Sequence, residues 1–338
     1  MLIAPAHSLT HQVNDHYLPR LLAHLPHTIT EEHEADARNR LLNIDGFGVA
    51  WYTTSLSDFE QGNSGQSEDG KQRSGLRPAA YKNIQPPASD TNFRSICSNT
   101  ETRCCFAHIR ATSATSVVQV NNHPFVFGRL SFMHNGSVSN FVAIRRAVCD
   151  VLDIDTYSNI FGSTDSEHVA ALFVHFLTGG RGRDSWEEEY SVDQMNKAMR
   201  SAVKTIIDIQ KKILGTKAEP NSLNLAATDG TKMVAYRFRN HKNEQPPSLY
   251  YSTRAGVTLN RKYPDQADGI ELPAEHNASR IAEEEHGAHV IVASEPSTYK
   301  EEDWELIGKN QALLVGLDGE ARVEDIDYDK SWNAQDVL

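Results

Sequence analysis

Basic residues are scarce in this chain. Against 45 Asp and Glu there are 33 Lys and Arg, for a net charge of -12. That balance excludes nucleic acid and anionic membranes as expected partners, since both require a concentrated basic footprint. Long apolar runs are missing too: nothing approaches the roughly 20 residues needed to cross a bilayer. The opening MLIAPAHSLTHQ has no basic region followed by a long apolar stretch, so no secretory signal is expected. Cysteine is sparse. Cys97, Cys104, Cys105 and Cys149 lack zinc-ligand spacing, and adjacent Cys104 and Cys105 would point to opposite faces of a strand. This usage predicts a reduced, cytosolic setting.

What is present suffices for a sizeable core: 338 residues, 39% of them hydrophobic. Length alone would suggest two domains. No repeat or boundary is visible, so one domain over residues 1–338 with decorated loops is the expectation. The segment GFGVAWYT at 46–53 reads as a buried strand entered through a turn at Asp45-Gly46. Residues 55–75 have almost nothing to bury and read as a disordered insertion. Further strands are expected near 78–83, 104–109 and 130–134. A helix should follow Asn135-Gly136, capped by Ser137 or Ser139, with Phe141, Ile144, Val148 and Leu152 at helical spacing. A second helix should start near Ser166, with Asp165 or Ser166 as its cap. The charged, glycine-rich loop 179–192 should be exposed. A long helix over about 193–214 would bury Val203, Ile206, Ile207, Ile213 and Leu214. Strands are expected at 222–228, 232–238, 248–252, 288–293 and 311–317, interrupted by polar stretches at 239–247 and 262–287. Strands, then helices, then strands suit two stacked sheets with helices outside them.

Four segments carry polar groups suited to chemistry: NIDGFGVAWY at 43–52, FAHIRATS at 106–113 with NNHPF at 121–125, FMHNGSVSNF at 132–141, and GSTDSEHVAALF at 162–173. Each has an ordinary reading. Asp45-Gly46 and Asn135-Gly136 are common turn pairs. Asp165 can merely cap a helix, and Arg110 can pair with any surface carboxylate. His108, His123 and His134 invite a metal, but no HxH or HxxxH spacing supports one, and no metal site is expected. In order, the segments offer more. An arginine at a strand end presents a planar fork for a carboxylate. An Asn-Gly pair offers a side-chain amide and a backbone N–H, the two donors of an oxyanion hole. An aspartate at a helix start can hold an ammonium. A carboxylate, an ammonium and an oxyanion are the charges of a γ-glutamyl amide undergoing hydrolysis.

Together with PAHSLTHQ at 5–12 and VASEPST at 292–298, these segments resemble the class II glutamine amidotransferases over most of the chain. Within that superfamily the likeness is to the amidotransferase-like subunit of a fungal cytosolic glutathione-degradation complex. The bacterial hydrolase of ergothioneine biosynthesis looks like a more distant cousin. The resemblance implies an α+β fold, the four-layer αββα sandwich of N-terminal-nucleophile hydrolases. It implies hydrolysis of a γ-glutamyl amide, glutathione above all, without a cofactor, and a metallopeptidase-like partner subunit. It assigns the α-carboxylate to Arg110, the α-ammonium to Asp165, and the oxyanion hole to Asn135 and Gly136. It makes His123 and His134 lining or bracing groups, makes Asp45, Gly46 and Gly48 a turn beside the nucleophile, and puts Ser294 and Glu295 on a later strand.

The nucleophile of that family is a cysteine exposed by methionine removal, whose own α-amine can serve as base. This sequence instead begins MLIAP. Leu2 is no nucleophile, and no internal cysteine has a free α-amine. The expectation is therefore an upstream Met-Cys segment completing the first strand, with the chain as printed inactive. Two alternatives accompany the hydrolase reading. One is an ammonia-donating amidotransferase subunit. The other is a nucleophile-less subunit that binds γ-glutamyl compounds or acts as a scaffold.

Overall fold

The computed structural model describes residues 45–54, 75–110, 115–255, 287–296 and 303–333. The segment 5–12, nearly all of the 55–75 insertion, most of the polar stretch 262–287 and residues 297–298 lie outside these. The first part of the chain forms β1 (Phe47–Thr53), β2 (Arg77–Asn83), helix α1 (Thr91–Asn99) and β3 (Cys105–Ile109). The middle forms β4 (Phe125–Phe127), β5 (Leu130–Ser137), α2 (Phe141–Cys149), α3 (Ile154–Ser158), α4 (Asp165–Thr178) and α5 (Val192–Leu214). Then come β6 (Ser222–Thr228), β7 (Met233–Arg239), β8 (Tyr250–Ser252), β9 (Ile291–Ala293), β10 (Glu305–Leu306), β11 (Gln311–Val315) and β12 (Ala321–Asp325).

A six-stranded sheet, ordered β12-β11-β7-β6-β5-β4, is the centre of the molecule, and every neighbouring pair in it is antiparallel. One face is apolar at alternate positions: Leu130 and Phe132, Leu223, Leu225 and Ala227, Val234, Tyr236 and Phe238. Helices α2, α4 and α5 cover that face, contributing Ile144, Val148, Leu172, Phe173, Met199, Val203 and Ile206. Helix α5 opens with a capping box in which the Ser191 side chain accepts from Gln194 N–H and the Gln194 side chain accepts in return. Its last turn departs from expectation, because Ile213 is exposed.

The other face receives two three-stranded sheets, β2-β1-β3 and β10-β8-β9. On β1 the alternation divides the labour. Phe47 and Val49 pack outward on Phe93 of α1, while the Tyr52 hydroxyl lies 2.9 Å from the carbonyls of both Arg129 and Thr228 in or beside the central sheet. The sheet β10-β8-β9 packs Leu249, Tyr251 and Val292 against Ala235, Leu313 and Val315. Arg237, 1% exposed, is kept from being an orphan charge by donating to the carbonyls of Pro246, Pro247 and Ile307. Helices, sheet, sheet and helix make up the four-layer αββα sandwich, an α+β fold.

Several local expectations are corrected. Asn135-Gly136 is no turn after a strand. It lies inside β5, with Asn135 opposite Asn224 and Gly136 opposite Leu223. Neither Ser137 nor Ser139 caps α2: its N-cap is Asn140 at φ 54, and the Ser139 hydroxyl donates to Pro220 O instead. Thr164 caps α4, its side chain accepting from Glu167 N–H, so Asp165 is the first helical residue. The loop 179–192 is only partly exposed, because Trp186 and Tyr190 are buried and the Trp186 ring meets Phe127 edge-on at 5.6 Å.

Candidate active site

The site is built where β1, β3, β5 and the start of α4 converge. Alternation on β3 turns Ala107 and Ile109 toward α1 and leaves His108 and Arg110 on the face toward the central sheet. Past the ends of the two strands the ladder continues: Asp45 N–H donates to Arg110 O at 3.1 Å, and Arg110 N–H donates to Gly46 O at 2.9 Å. Asp45 is thereby fixed beside Arg110. Gly46 has φ +106, and a Cβ there would come within 2.6 Å of both Asn122 Nδ2 and Asn83 O. Gly48 belongs to β1 itself rather than to a turn, and a Cβ on it would meet His123 O at 2.0 Å. Glycine is required at both places because the segment 121–125 lies directly over β1. Asn122 secures that segment, donating through Nδ2 to Asn83 O at 2.9 Å.

Three histidines fill the interior. The His108 and His123 rings lie 4.2 Å apart, and His123 meets Phe125 edge-on at 4.7 Å. Neither ring nitrogen of His123 has a hydrogen-bond partner among the described residues. Burial pushes the His108 imidazole down to about 4 and that of His123 well below its ordinary value, so both are neutral at pH 7. His134 faces the helices instead. Its Nε2 lies 3.3 Å from the Ser222 carbonyl and its Nδ1 2.9 Å from the Ser166 hydroxyl. A carbonyl only accepts, so Nε2 carries the proton and Nδ1 accepts from Ser166. His134 thus braces β5 against α4. Among the described residues no group of three or more His, Cys, Asp or Glu can hold a metal ion.

The charged groups meet at the same end. Arg110 is 5% exposed; it donates to Ser116 O at 3.3 Å and to the Thr115 hydroxyl. Burial lowers its pKa, and the carboxylates of Asp45 and Asp165 offset part of that. Asp165 accepts from Val138 N–H at 2.7 Å and from Ser166 N–H at 2.8 Å, a carboxylate held at a helix N-terminus, where the macrodipole favours it. Asn135 is exposed and its Nδ2 donates to Ser294 Oγ at 3.2 Å. Gly136 has φ +143, and a Cβ would strike Ser222 O at 1.9 Å.

Sequence reasoning named Arg110, Asp165, Asn135, Gly136, Asp45 and the histidines, and the fold gathers them at one end of the sandwich. It passed over Asn121, Asn122, Lys82 and Glu167. Burial takes the Lys82 ammonium down to about 8, and its Nζ stands 5.0 Å from the Phe125 ring centroid. Glu167 accepts from Phe161 N–H and Gly162 N–H at 3.0 and 2.7 Å. For Asn121, Asn122 and Glu167 the only sequence signal was a place inside a motif, and Lys82 had none.

Comparison with known proteins agrees with this architecture. The sequence profile of the glutamine amidotransferases class-II matches residues 33–336. The protein described as probable glutamine amidotransferase DUG3 of Saccharomyces cerevisiae is 30% identical over 318 residues, covering 93% of this chain and 77% of the yeast protein. Among solved structures, the glutamine aminotransferase class-II domain protein from Silicibacter pomeroyi superposes with a TM-score of 0.52 at 21% identity, over 84% of this chain and 92% of that one. The chain therefore belongs to the class II glutamine amidotransferases.

Proposed function

We propose that the site binds a γ-glutamyl amide and serves its hydrolysis, with glutathione as the substrate, in a single domain that accounts for the chain. The observation carrying this reading is the meeting of a buried guanidinium, Arg110, with a helix-start carboxylate, Asp165, whose charge partly offsets the effect of burial on Arg110. Arg110 takes the α-carboxylate through its planar fork. Asp165 takes the α-ammonium. Asn135 Nδ2 and Gly136 N–H receive the oxyanion, and His123 and His134 brace the walls. Asp45, Gly46 and Gly48 shape the floor beside the attacking group.

The reaction needs a thiolate, which adds to the γ-carbonyl carbon. The tetrahedral adduct expels the amine, which takes a proton, and water then hydrolyses the thioester to glutamate. None of the chain's four cysteines suits that task. None of them has a free α-amine, and burial pushes the Cys104 thiol up to about 11 and also raises Cys97 and Cys149. The chemistry of this reading calls for a thiolate with an α-amine on the same residue to act as base, as an N-terminal cysteine supplies. With glutathione the products are glutamate and cysteinylglycine, and the setting is a cytosolic complex with a metallopeptidase-like subunit. Among the described residues no helix is long and apolar enough to cross a membrane.

Two measurements test this. Titration calorimetry of the chain with L-glutamine and with glutathione should give binding that Arg110→Lys weakens by about tenfold or more, because a lysine cannot make the bidentate contact. Joining a cysteine-bearing N-terminal segment, with the partner subunit present, should give release of cysteinylglycine. Unchanged binding in Arg110→Lys would overturn the assignment of the site. Turnover of free glutamine but not of glutathione would favour an ammonia-donating subunit.

A further inference from the structure

The two charge-binding ends of the site are mechanically joined by one buried side chain. Asn121 is 1% exposed. Its Nδ2 donates to Ser116 O at 2.9 Å, the carbonyl that also receives Arg110. Its Oδ1 accepts from Ser163 N–H at 3.0 Å, on the loop that leads through the Thr164 cap into Asp165. The two backbone partners are of opposite kind, a carbonyl and an N–H, so the amide's orientation is settled by chemistry. Only a side chain with a donor at one end and an acceptor at the other spans this gap. A carboxylate cannot donate, and an aliphatic residue does neither.

The loop is clamped from its other side by Glu167, which receives Phe161 N–H and Gly162 N–H. Gly162 sits between the two clamps: a Cβ there would come within 2.4 Å of Asn121 Oδ1 and 2.8 Å of Glu167 Oε2. Loop 161–164 therefore has little freedom while Asn121 holds it. The loop carrying the arginine's acceptor and the loop leading to the aspartate share one amide.

We infer that Asn121 is a positioning residue that couples the carboxylate-binding Arg110 to the ammonium-binding Asp165, so that the site recognises the α-amino-acid zwitterion as one unit. The inference rests on the γ-glutamyl reading of Arg110 and Asp165. It goes beyond it by giving the specificity for the intact zwitterion to a residue that touches neither charge. Loss of Asn121 should loosen both ends together, whereas loss of either charged residue should affect one end.

The test is calorimetry on the full chain with three probes. L-Glutamine carries both charges, 4-carbamoylbutanoate lacks the ammonium, and 4-aminobutanamide lacks the carboxylate. In the parent each half-ligand should bind more weakly than L-glutamine. Asn121→Ala should weaken L-glutamine by about tenfold, the upper scale of one neutral hydrogen bond, and shrink the penalty for removing either charge. Gly162→Ala, on a partly exposed loop, reaches the same contact from the other side and should give the same double loss should Asn121→Ala fail to fold. Arg110→Lys should shrink only the carboxylate penalty and Asp165→Asn only the ammonium penalty. If those two behave so while Asn121→Ala and Gly162→Ala change one penalty or neither, the coupling is refuted and the γ-glutamyl reading stands. If Arg110→Lys and Asp165→Asn change no penalty, the γ-glutamyl reading falls and the coupling falls with it.

Discussion

Adding one methyl group at Gly48 should be among the costliest small changes in the protein. The Cβ of Gly48→Ala would lie 2.0 Å from His123 O and 3.1 Å from Lys82 Cγ, far inside ordinary van der Waals contact. Three things could yield, and two are held. Strand β1 is central in its sheet, with Gly48 paired to Lys82 on one side and His108 on the other, so it cannot retreat without breaking two ladders. The 121–125 segment is tied down by Asn122 on Asn83 O and Phe47 O. The third is the Lys82 stem, and it is not the worst contact. Overpacking of a confined site costs about 1–3 kcal/mol, and the depth of this overlap puts Gly48→Ala at about 3 kcal/mol. For a chain of 338 residues that corresponds to a fall in Tm of roughly 4 °C. Differential scanning calorimetry reads the shift, and L-glutamine calorimetry on the same sample reports whether the displaced His123 disturbs the site. A melt within 2 °C or so of the parent would refute the claim that Gly48 is dictated by the backbone passing over it.

Acid should weaken the fold before its carboxylates titrate. Burial lowers the pKa of His108, His123, His134 and His168 in the folded chain. The unfolded chain therefore binds more protons than the native one below about pH 6.5. Stability is full above that value and falls as pH drops toward 4, by up to about 1.4 kcal/mol per unit per histidine. Urea titrations across pH 4–7 should show this slope, made shallower by His123→Asn, and a flat profile would contradict the neutral, buried imidazoles. Asn135→Ala should leave the melt nearly unchanged, since the side chain is exposed, yet cost roughly 100–1,000-fold in kcat for γ-glutamyl hydrolysis. A lowered Tm with intact turnover would make Asn135 structural only.

The parts of this fold that were legible in the sequence are those whose own residues encode their surroundings. Strand β1 alternates large apolar groups between two layers, and α4 and α5 bury stripes at helical spacing, so their positions were foreseen to within a residue or two. Helix α1 was not: TNFRSICSN buries only Phe93, and its start is fixed by Asp90 accepting from Phe93 N–H, a local device with no periodic trace. Trp186 lies among charged neighbours, and its burial depends on Phe127, far away in the chain. The Asn-Gly pair was misread because its turn preference is real, but on β5 it is overridden by pairing with β6. In the site, the charged residues announced themselves by type and order. Asn121 and Asn122 did not, because each acts on backbone atoms some forty residues away that only the fold brings near.

Strands β1 and β2 run antiparallel, with Phe47 opposite Asn83 at one end and Thr53 opposite Arg77 at the other. The link between them leaves from the Thr53 end, whereas Asp45 and Arg110, part of the candidate site, lie beyond the Phe47 end. A full strand length therefore separates that junction from the chemistry. This makes the junction a natural handle. An affinity tag, a fluorophore or a circular-permutation break placed between Thr54 and Gly75 is expected to leave glutamine binding as it is. The chain could thus be tethered to a sensor surface there with its site still facing solution.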